Sequence, residues 1–170
     1  MKYDHNKIEK KWQKEWEKEK LYKVADEVKG RENFYTLVEF PYPSGNLHVG
    51  HWFAFSVPDI FARMKRMQGQ NVLFPIGFAA FGLPAENAAL ERGINPRKWT
   101  ESNIEYMRKQ LRTMGASFDW SREVVTCDPK YYKWTQWIFL QFLKNSLAYQ
   151  AETNVNWCPK DKIGLPRAKY

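Results

Sequence analysis

The sequence predicts an α/β fold with parallel strands, and two stretches carry that prediction. Residues 34–40, Phe-Tyr-Thr-Leu-Val-Glu-Phe, form a strongly β-prone run that ends at Pro41. Residues 41–46 hold Pro41, Pro43 and Gly45, which neither helix nor strand accepts readily. They hand over to a segment from about Leu47 to Met67 that can be helical apart from Pro58. The order then repeats. Asn71-Val72-Leu73-Phe74 before Pro75 reads as a second strand, a glycine-containing loop follows, and residues 84–90 open like a helix with proline in its first turn. Strand, loop, helix and strand in this order make βαβ units.

The remaining elements fit around these. Residues 7–22 place Ile8, Trp12 and Trp16 on one side at three-to-four spacing, an amphipathic helix whose charged face reads as solvated. Gly30-Arg31-Glu32-Asn33 breaks that pattern. Thr100-Glu101-Ser102-Asn103 opens a helix that runs to about Met114 and stops at Gly115, and Val124-Val125-Thr126 reads as a short strand. Residues 129–148 form a last helix, with an apolar face of Tyr132, Trp137, Leu140 and Leu147. Past Cys158 the chain is polar and punctuated by proline, and no internal repeat occurs.

Composition bounds the function. With 170 residues, 44% hydrophobic and 27% charged, the chain can bury a core and fits one domain with a small appendage, which excludes disorder throughout. Lys and Arg number 27 against 19 Asp and Glu, a net charge of +8 that favours a nucleic acid, a nucleotide or another polyanion as partner. The first residues alternate charged and apolar, and no run of about 18 apolar residues occurs. Neither a signal peptide nor a membrane span is expected, and the expected location is cytoplasmic. Cys127 and Cys158 lack Cys-x-x-Cys partners, so neither a disulfide framework nor a complete zinc site is expected, and no metal ligands are assigned.

His48-Val49-Gly50-His51 stands where the Pro/Gly loop meets a helix N-terminus, the place in an α/β fold where backbone amides and the helix dipole favour phosphate. Two histidines there would add directional donors, or would cap and pack locally. Phe40 through His51, then Pro75-Ile76-Gly77, Ala80 through Asn87, and Val155-Asn156-Trp157-Cys158-Pro159 follow one another at characteristic spacing. In these motifs the chain resembles the bacterial-type leucyl-tRNA synthetases, class I enzymes, from its N-terminal helix to about Lys162.

The resemblance implies an incomplete Rossmann-type parallel sheet with flanking helices, the first half of a catalytic domain. Residues 1–33 would be N-terminal helix and linker, 34–152 the nucleotide-binding half-domain, and 153–170 the start of a connective segment with an altered tail. It implies activation of leucine with ATP and Mg2+ and transfer to tRNA(Leu). His48 and His51 would be the catalytic pair, contacting ATP phosphates and stabilising charge on the α-phosphorus and the leaving pyrophosphate. Gly50 would let adenine lie flat on the backbone. Phe40 and Tyr42 would border the leucine, Phe40 with a main-chain acceptor and Tyr42 as an aromatic wall, the lesser alternative for Tyr42 being ordinary loop packing.

Several positions depart from the family. Its Gly-Trp-Asp-Ala-Phe-Gly-Leu-Pro reads Gly77-Phe78-Ala79-Ala80-Phe81-Gly82-Leu83-Pro84 here, so Ala79 replaces the aspartate that lies against the leucine ammonium. A charge-assisted hydrogen bond of roughly 1.5–3 kcal/mol would be lost. Glu39 is the nearest alternative carboxylate, although its side chain alternates away. Cys158 resembles the first ligand of a zinc site, but Lys160 and Asp161 follow in place of a second cysteine, so a thiol outside any zinc site is expected. A Lys-Met-Ser-Lys-Ser-like loop has no counterpart, and Ile163 to Tyr170 replaces the family's continuation. These features read as a fragment or minimal version with weak or no activity.

Two function classes therefore stand side by side: a leucine-activating enzyme, and a non-catalytic nucleotide- or RNA-binding half-domain that needs a complementing chain or self-associates. Basic residues interleave with aromatics at Arg63, Lys65 and Arg66, at Arg108, Lys109 and Arg112, and at Lys130, Lys133 and Trp134. Such clusters would either track an RNA stem by phosphate contacts or decorate solvated helices.

Overall fold

A computed structural model describes residues 3–160 and 163–165. Residues 161, 162 and 166–170, part of the expected altered tail, lie outside the described residues, as do residues 1 and 2. The chain forms two compact units, Met1–Tyr132 and Lys133–Tyr170.

In the first unit, helix α1 spans His5–Lys18, with the Asp4 side chain accepting the Lys7 amide at its start. It ends earlier than the predicted residue 22, because Lys20 turns left-handed (φ 50°) and the Leu21 amide bonds back to the Trp16 carbonyl. That motif normally takes glycine, so the sequence carries no sign of the stop. Strand β1 (Asn33–Tyr35) pairs in parallel with β2 (Asn71–Leu73) across helix α2 (Val49–Met67). Strand β3 (Gly77–Phe78) pairs in parallel with β4 (Val124–Val125) across helices α3 (Leu83–Glu91) and α4 (Pro96–Met114). The first predicted βαβ unit is therefore present; the second opens on Gly77–Phe78, inside the stretch read as a glycine-containing loop, and not on the strand at residues 71–74.

The strands are shorter than predicted. Beyond the Thr36 amide, which donates to Leu73, the ladder meets Pro75, a residue with no N–H to give. Residues 36–40 nevertheless keep the strand alternation, Thr36 and Val38 buried, Leu37 and Glu39 exposed. The Asp119 amide to the Phe74 carbonyl and the Val124 amide to the Ile76 carbonyl carry the backbone bonding on from one pair to the next. The predicted sheet is thus two short ladders joined by single hydrogen bonds.

Phe55 of α2, Met107 and Leu111 of α4, and Phe74, Ile76, Phe78 and Phe118 are fully buried and form the centre of the core. Phe74 and Phe118 rings lie 4.6 Å apart. α4 begins four residues before the predicted Thr100, because Asn95 caps the Arg97 and Lys98 amides and Pro96 takes the first turn. It ends on Gly115 in the left-handed conformation (φ 73°), as predicted. Within α2, Pro58 removes one helical donor and the Ser56 hydroxyl donates to the Trp52 carbonyl at 2.6 Å. The next residue, Asp59, accepts the Arg63 guanidinium at 2.8 Å and the Ser117 amide at 2.6 Å.

Helix α5 (Pro129–Lys144) closes with the device that ends α1: Ser146 is left-handed (φ 58°) and the Leu147 amide bonds the Phe142 carbonyl. The predicted apolar face of α5 is not covered. Trp137 is 55% and Leu147 73% exposed, and no residue of the helix is buried. In the second unit, β5 (Asn156–Cys158) and β6 (Ile163–Leu165) pair antiparallel, with Cys158 opposite Ile163. No disulfide joins Cys127 and Cys158. Among the described residues no helix is long and apolar enough to cross a membrane.

Candidate functional site

The loop between β1 and α2 is held from below by α4. The buried Asn103 side chain donates to the Pro43 carbonyl at 2.9 Å, and Gln110 both accepts from the Leu47 amide at 3.0 Å and donates to the Leu47 carbonyl. Both residues stand on the face of α4 that also buries Met107 and Leu111. Sequence reasoning missed them as site residues. The available signal was two carboxamides at core-facing helical positions, which must find partners when buried.

Leu47 delivers the chain to His48, the N-cap of α2. His48 Nδ1 accepts the Gly50 amide at 3.1 Å, and His51 Nδ1 accepts the His48 amide at 3.2 Å, a reciprocal capping box built from two imidazoles whose rings lie 4.0 Å apart. Because each Nδ1 acts as acceptor, a neutral ring carries its proton on Nε2. The pair thus offers two N–H donors that the cap leaves unused, at the positive end of a 19-residue helix.

Burial first, and then the neighbouring His48, lower the His51 pKa from its ordinary 6.5, while the Glu39 charge opposes them. Glu39, the alternative carboxylate of the sequence reading, is therefore within electrostatic reach of the histidines. At Gly50 an added Cβ would stand 2.9 Å from His48 Cε1, so the space its missing side chain leaves is taken by the His48 ring. His48 and His51 line a cavity of about 550 Å³ that continues along Phe55 to Tyr106, Gln110 and Leu111 of α4.

The second cluster surrounds position 79. The Ala79 amide donates to the Pro41 carbonyl at 3.1 Å, and the Ala80 amide donates to Thr126 Oγ1 at 2.8 Å. Half-buried Phe40 lies against Gly77, where an added Cβ would come within 2.9 Å of its ring and 2.4 Å of the Val124 carbonyl oxygen. Gly77 is thus required by close packing. The bond from Ala79 to Pro41 ties position 79 to the residue that follows Phe40. Tyr42 follows on the same loop, 64% exposed. Thr126 was read only as strand, and its role as the acceptor for Ala80 was not legible.

The arginines of the basic clusters named from the sequence are committed internally. Arg63 bonds Asp59, the Tyr22 hydroxyl and the Gly115 carbonyl, and Arg66 bonds Ser117 twice. Arg108 pairs with Glu123 and Glu105, and Arg112 with Glu17 at 2.7 Å. Among the described residues no three His, Cys, Asp or Glu side chains come together as a metal-holding group.

The geometry has counterparts among known proteins. The chain is 56% identical over 163 residues to the leucine-tRNA ligase of Thermotoga maritima, covering 96% of this chain and 20% of that protein. The chain thus spans about a fifth of the length of the curated relatives it matches. The LeuRS of Agrobacterium radiobacter K84 (agnB2), solved as a ternary complex with tRNA and LeuAMS, superposes with a TM-score of 0.89 at 37% identity, over 95% of this chain and 21% of that one. Methionyl-tRNA synthetase of Mycobacterium tuberculosis, in complex with methionyl-adenylate, shares the fold with a TM-score of 0.63 at 23% identity, over 68% of this chain and 22% of that one. Residues 11–168 match the family described as tRNA synthetases class I (I, L, M and V), and with the paired βαβ units and the histidine-capped α2 already in place, the chain belongs to that family.

Proposed function

We propose that this chain carries the nucleotide- and leucine-binding part of a leucine-tRNA ligase. In the reaction, a carboxylate oxygen of leucine attacks the α-phosphorus of ATP, the bond from that phosphorus to the bridging oxygen breaks, and pyrophosphate leaves with the bond electrons. A tRNA(Leu) hydroxyl then attacks the leucyl carbonyl, the bond from that carbon to the AMP oxygen breaks, and AMP leaves. The observation that carries the proposal is the imidazole capping box: both Nδ1 atoms are spent on the helix N-terminus, so both Nε2–H groups remain to donate to phosphate oxygens. Donors fixed before the substrate arrives need no reorganisation as charge develops. Phe40, Pro41 and Ala79 form the wall proposed for leucine, with Tyr42 above it. Mg2+ enters as the ion of the nucleotide phosphates, with no protein ligand assigned to it.

Leucine-dependent exchange of pyrophosphate into ATP tests this reading. The expected result is slow exchange that His48→Ala with His51→Ala lowers at least tenfold, with a smaller loss of ATP affinity, because the contacts tighten as the reaction proceeds. Equal losses in exchange and affinity would reduce the pair to simple binding, and exchange that survives the double substitution would remove it from the mechanism.

The second reading, a half-domain that works only when complemented, is favoured by α5, whose apolar side chains lack cover. Adding a polypeptide with the rest of a ligase chain would then restore exchange, while the chain alone shows none.

A further inference from the structure

The cavity of about 550 Å³ beside the histidines has a second wall, on α4, to which the capping box gives no role. Tyr106, Lys109, Gln110 and Thr113 stand on that wall, and among the described residues none that lines the cavity is acidic. Gln110 fixes the wall's place, since it accepts the Leu47 amide at 3.0 Å and donates to the Leu47 carbonyl, one residue before His48. Lys109, its neighbour in α4, is therefore held at the same end of α2 as the two imidazoles.

Lys109 differs from the other cations of this stretch of α4. Arg108 pairs with Glu123 at 2.6 Å and with Glu105 at 3.1 Å, and Arg112 pairs with Glu17 at 2.7 Å. Glu105, four residues before Lys109 and so on its side of the helix, is thereby taken by Arg108. Lys109 is exposed, and among the described residues its ammonium group has no ion-pair partner. Its carbonyl accepts the Thr113 hydroxyl at 2.8 Å, a bond that leaves the ammonium unused. The basic cluster read from the sequence therefore splits: its arginines hold the fold together, and its lysine faces a cavity without carboxylates.

The charge of a triphosphate exceeds what the histidine end can balance. Neutral imidazoles donate hydrogen bonds without bringing charge, and a helix N-terminus counts as about half a positive charge. A phosphate chain that starts at the imidazoles and extends across the cavity towards α4 is stabilised by a cation at its far end. We propose that Lys109 is that cation: it holds the terminal phosphates of ATP and then the departing pyrophosphate, while the Nε2–H groups of His48 and His51 hold the phosphate under attack. A lysine suits the task, since its compact charge on a flexible stem can follow the pyrophosphate as it leaves. The naming of ATP rests on the ligase reading above; the polyphosphate site rests on the cavity and its charges.

The test is calorimetric titration of the 170-residue chain with inorganic tripolyphosphate, without added divalent cation, so that no adenine or leucine contact contributes. Lys109→Gln is expected to weaken binding about tenfold or more, the loss of one charge-assisted contact. Lys109→Arg, which keeps the charge, should retain most of the affinity. Lys98→Gln, at an exposed lysine of α4 outside the cavity, should leave it unchanged. Absence of tripolyphosphate binding overturns the inference, as does equal affinity in Lys109→Gln. So does a loss in Lys98→Gln as large as that at Lys109, which would reduce the effect to net charge. Leucine-dependent pyrophosphate exchange separates this inference from the ligase reading. Exchange that the histidine double substitution lowers, beside unchanged tripolyphosphate binding in Lys109→Gln, discards Lys109 and keeps the ligase reading. Tripolyphosphate binding that depends on Lys109, with no exchange even when the rest of a ligase chain is added, keeps the polyphosphate site and discards the activation of leucine.

Discussion

At position 79 the backbone is fixed before any side chain matters, since the Ala79 amide is held by Pro41 and the next amide by Thr126. A carboxylate introduced there would emerge from a rigid, half-buried site beside Phe40, where a leucine ammonium would otherwise be desolvated without an anionic partner. Ala79→Asp is therefore expected to tighten leucine binding about ten- to a hundredfold, the equivalent of 1.5–3 kcal/mol, and to leave ATP binding unchanged. Calorimetric titration with each ligand decides it; an equal change for both would remove residue 79 from the ammonium site. The histidines make a second prediction at this scale. The folded-state pKa of His51 is depressed below 6.5, chiefly by burial, so the stabilisation it confers is complete above that value. As pH falls from 6.5 towards the folded pKa, the unfolded chain takes up the proton first and the stabilisation is lost. The melting temperature should drop between pH 7.5 and 5.5 by more in the native chain than in His51→Asn, which keeps an acceptor for the His48 amide but does not titrate. Identical drops would mean that His51 is not the group responsible.

Among the elements, α4 does most to place the site. Asn103 and Gln110 present hydrogen-bonding groups from a buried face to the loop that leads into α2. Asn103→Ala leaves the Pro43 carbonyl without its buried donor and is expected to cost about 1–3 kcal/mol in urea unfolding, with the m-value unchanged. Asn103→Asp, which sets a second acceptor against the same carbonyl, should cost at least as much; a milder effect would mean that water replaces the bond. Much of the element order was legible because prolines and glycines punctuate it, but the two-residue strand Gly77–Phe78 was not, since it lies within a glycine-containing loop and carries no β-prone run. The ends were less legible. α1 and α5 stop at left-handed Lys20 and Ser146, residues that do not announce a stop, and the Asn95-Pro96 start of α4 was passed over for Thr100. The histidine motif could be read from the sequence, but its mutual capping could not, nor could the reach of Asn103, Gln110 and Thr126, because those bonds join residues that only the tertiary fold brings together.

For the whole molecule, the core and the surface tell different stories. Phenylalanines fill the centre of the first unit, whereas on α5 Trp134, Trp137, Phe139 and Phe142 are each about half exposed. A wide apolar face on a helix is ordinarily buried against another element. The chain is therefore expected to self-associate, with a light-scattering mass above that of one chain that rises with concentration. Trp134→Lys with Trp137→Lys should lower that mass towards the monomer, and a concentration-independent monomer in the native chain would refute the expectation. The apolar face itself was legible in the sequence, because a periodic apolar face shows that a partner is wanted and not that the chain contains it.

Ser56 and Pro58 share one turn of α2, and that turn divides the helix mechanically. Behind it, Asp59, Arg63 and Arg66 fasten the rod to Gly115 and Ser117; ahead of it, buried Phe55 and the Gln110 bonds to Leu47 fasten the histidine end as well. A hinge of about 5° at Pro58 would swing His48 through about 1.3 Å, given ten residues of 1.5 Å rise. Displacements of that size separate aligned from misaligned reacting groups. Anchorage on both sides of the Pro58 turn therefore keeps the two imidazoles in register with the α4 wall of their cavity.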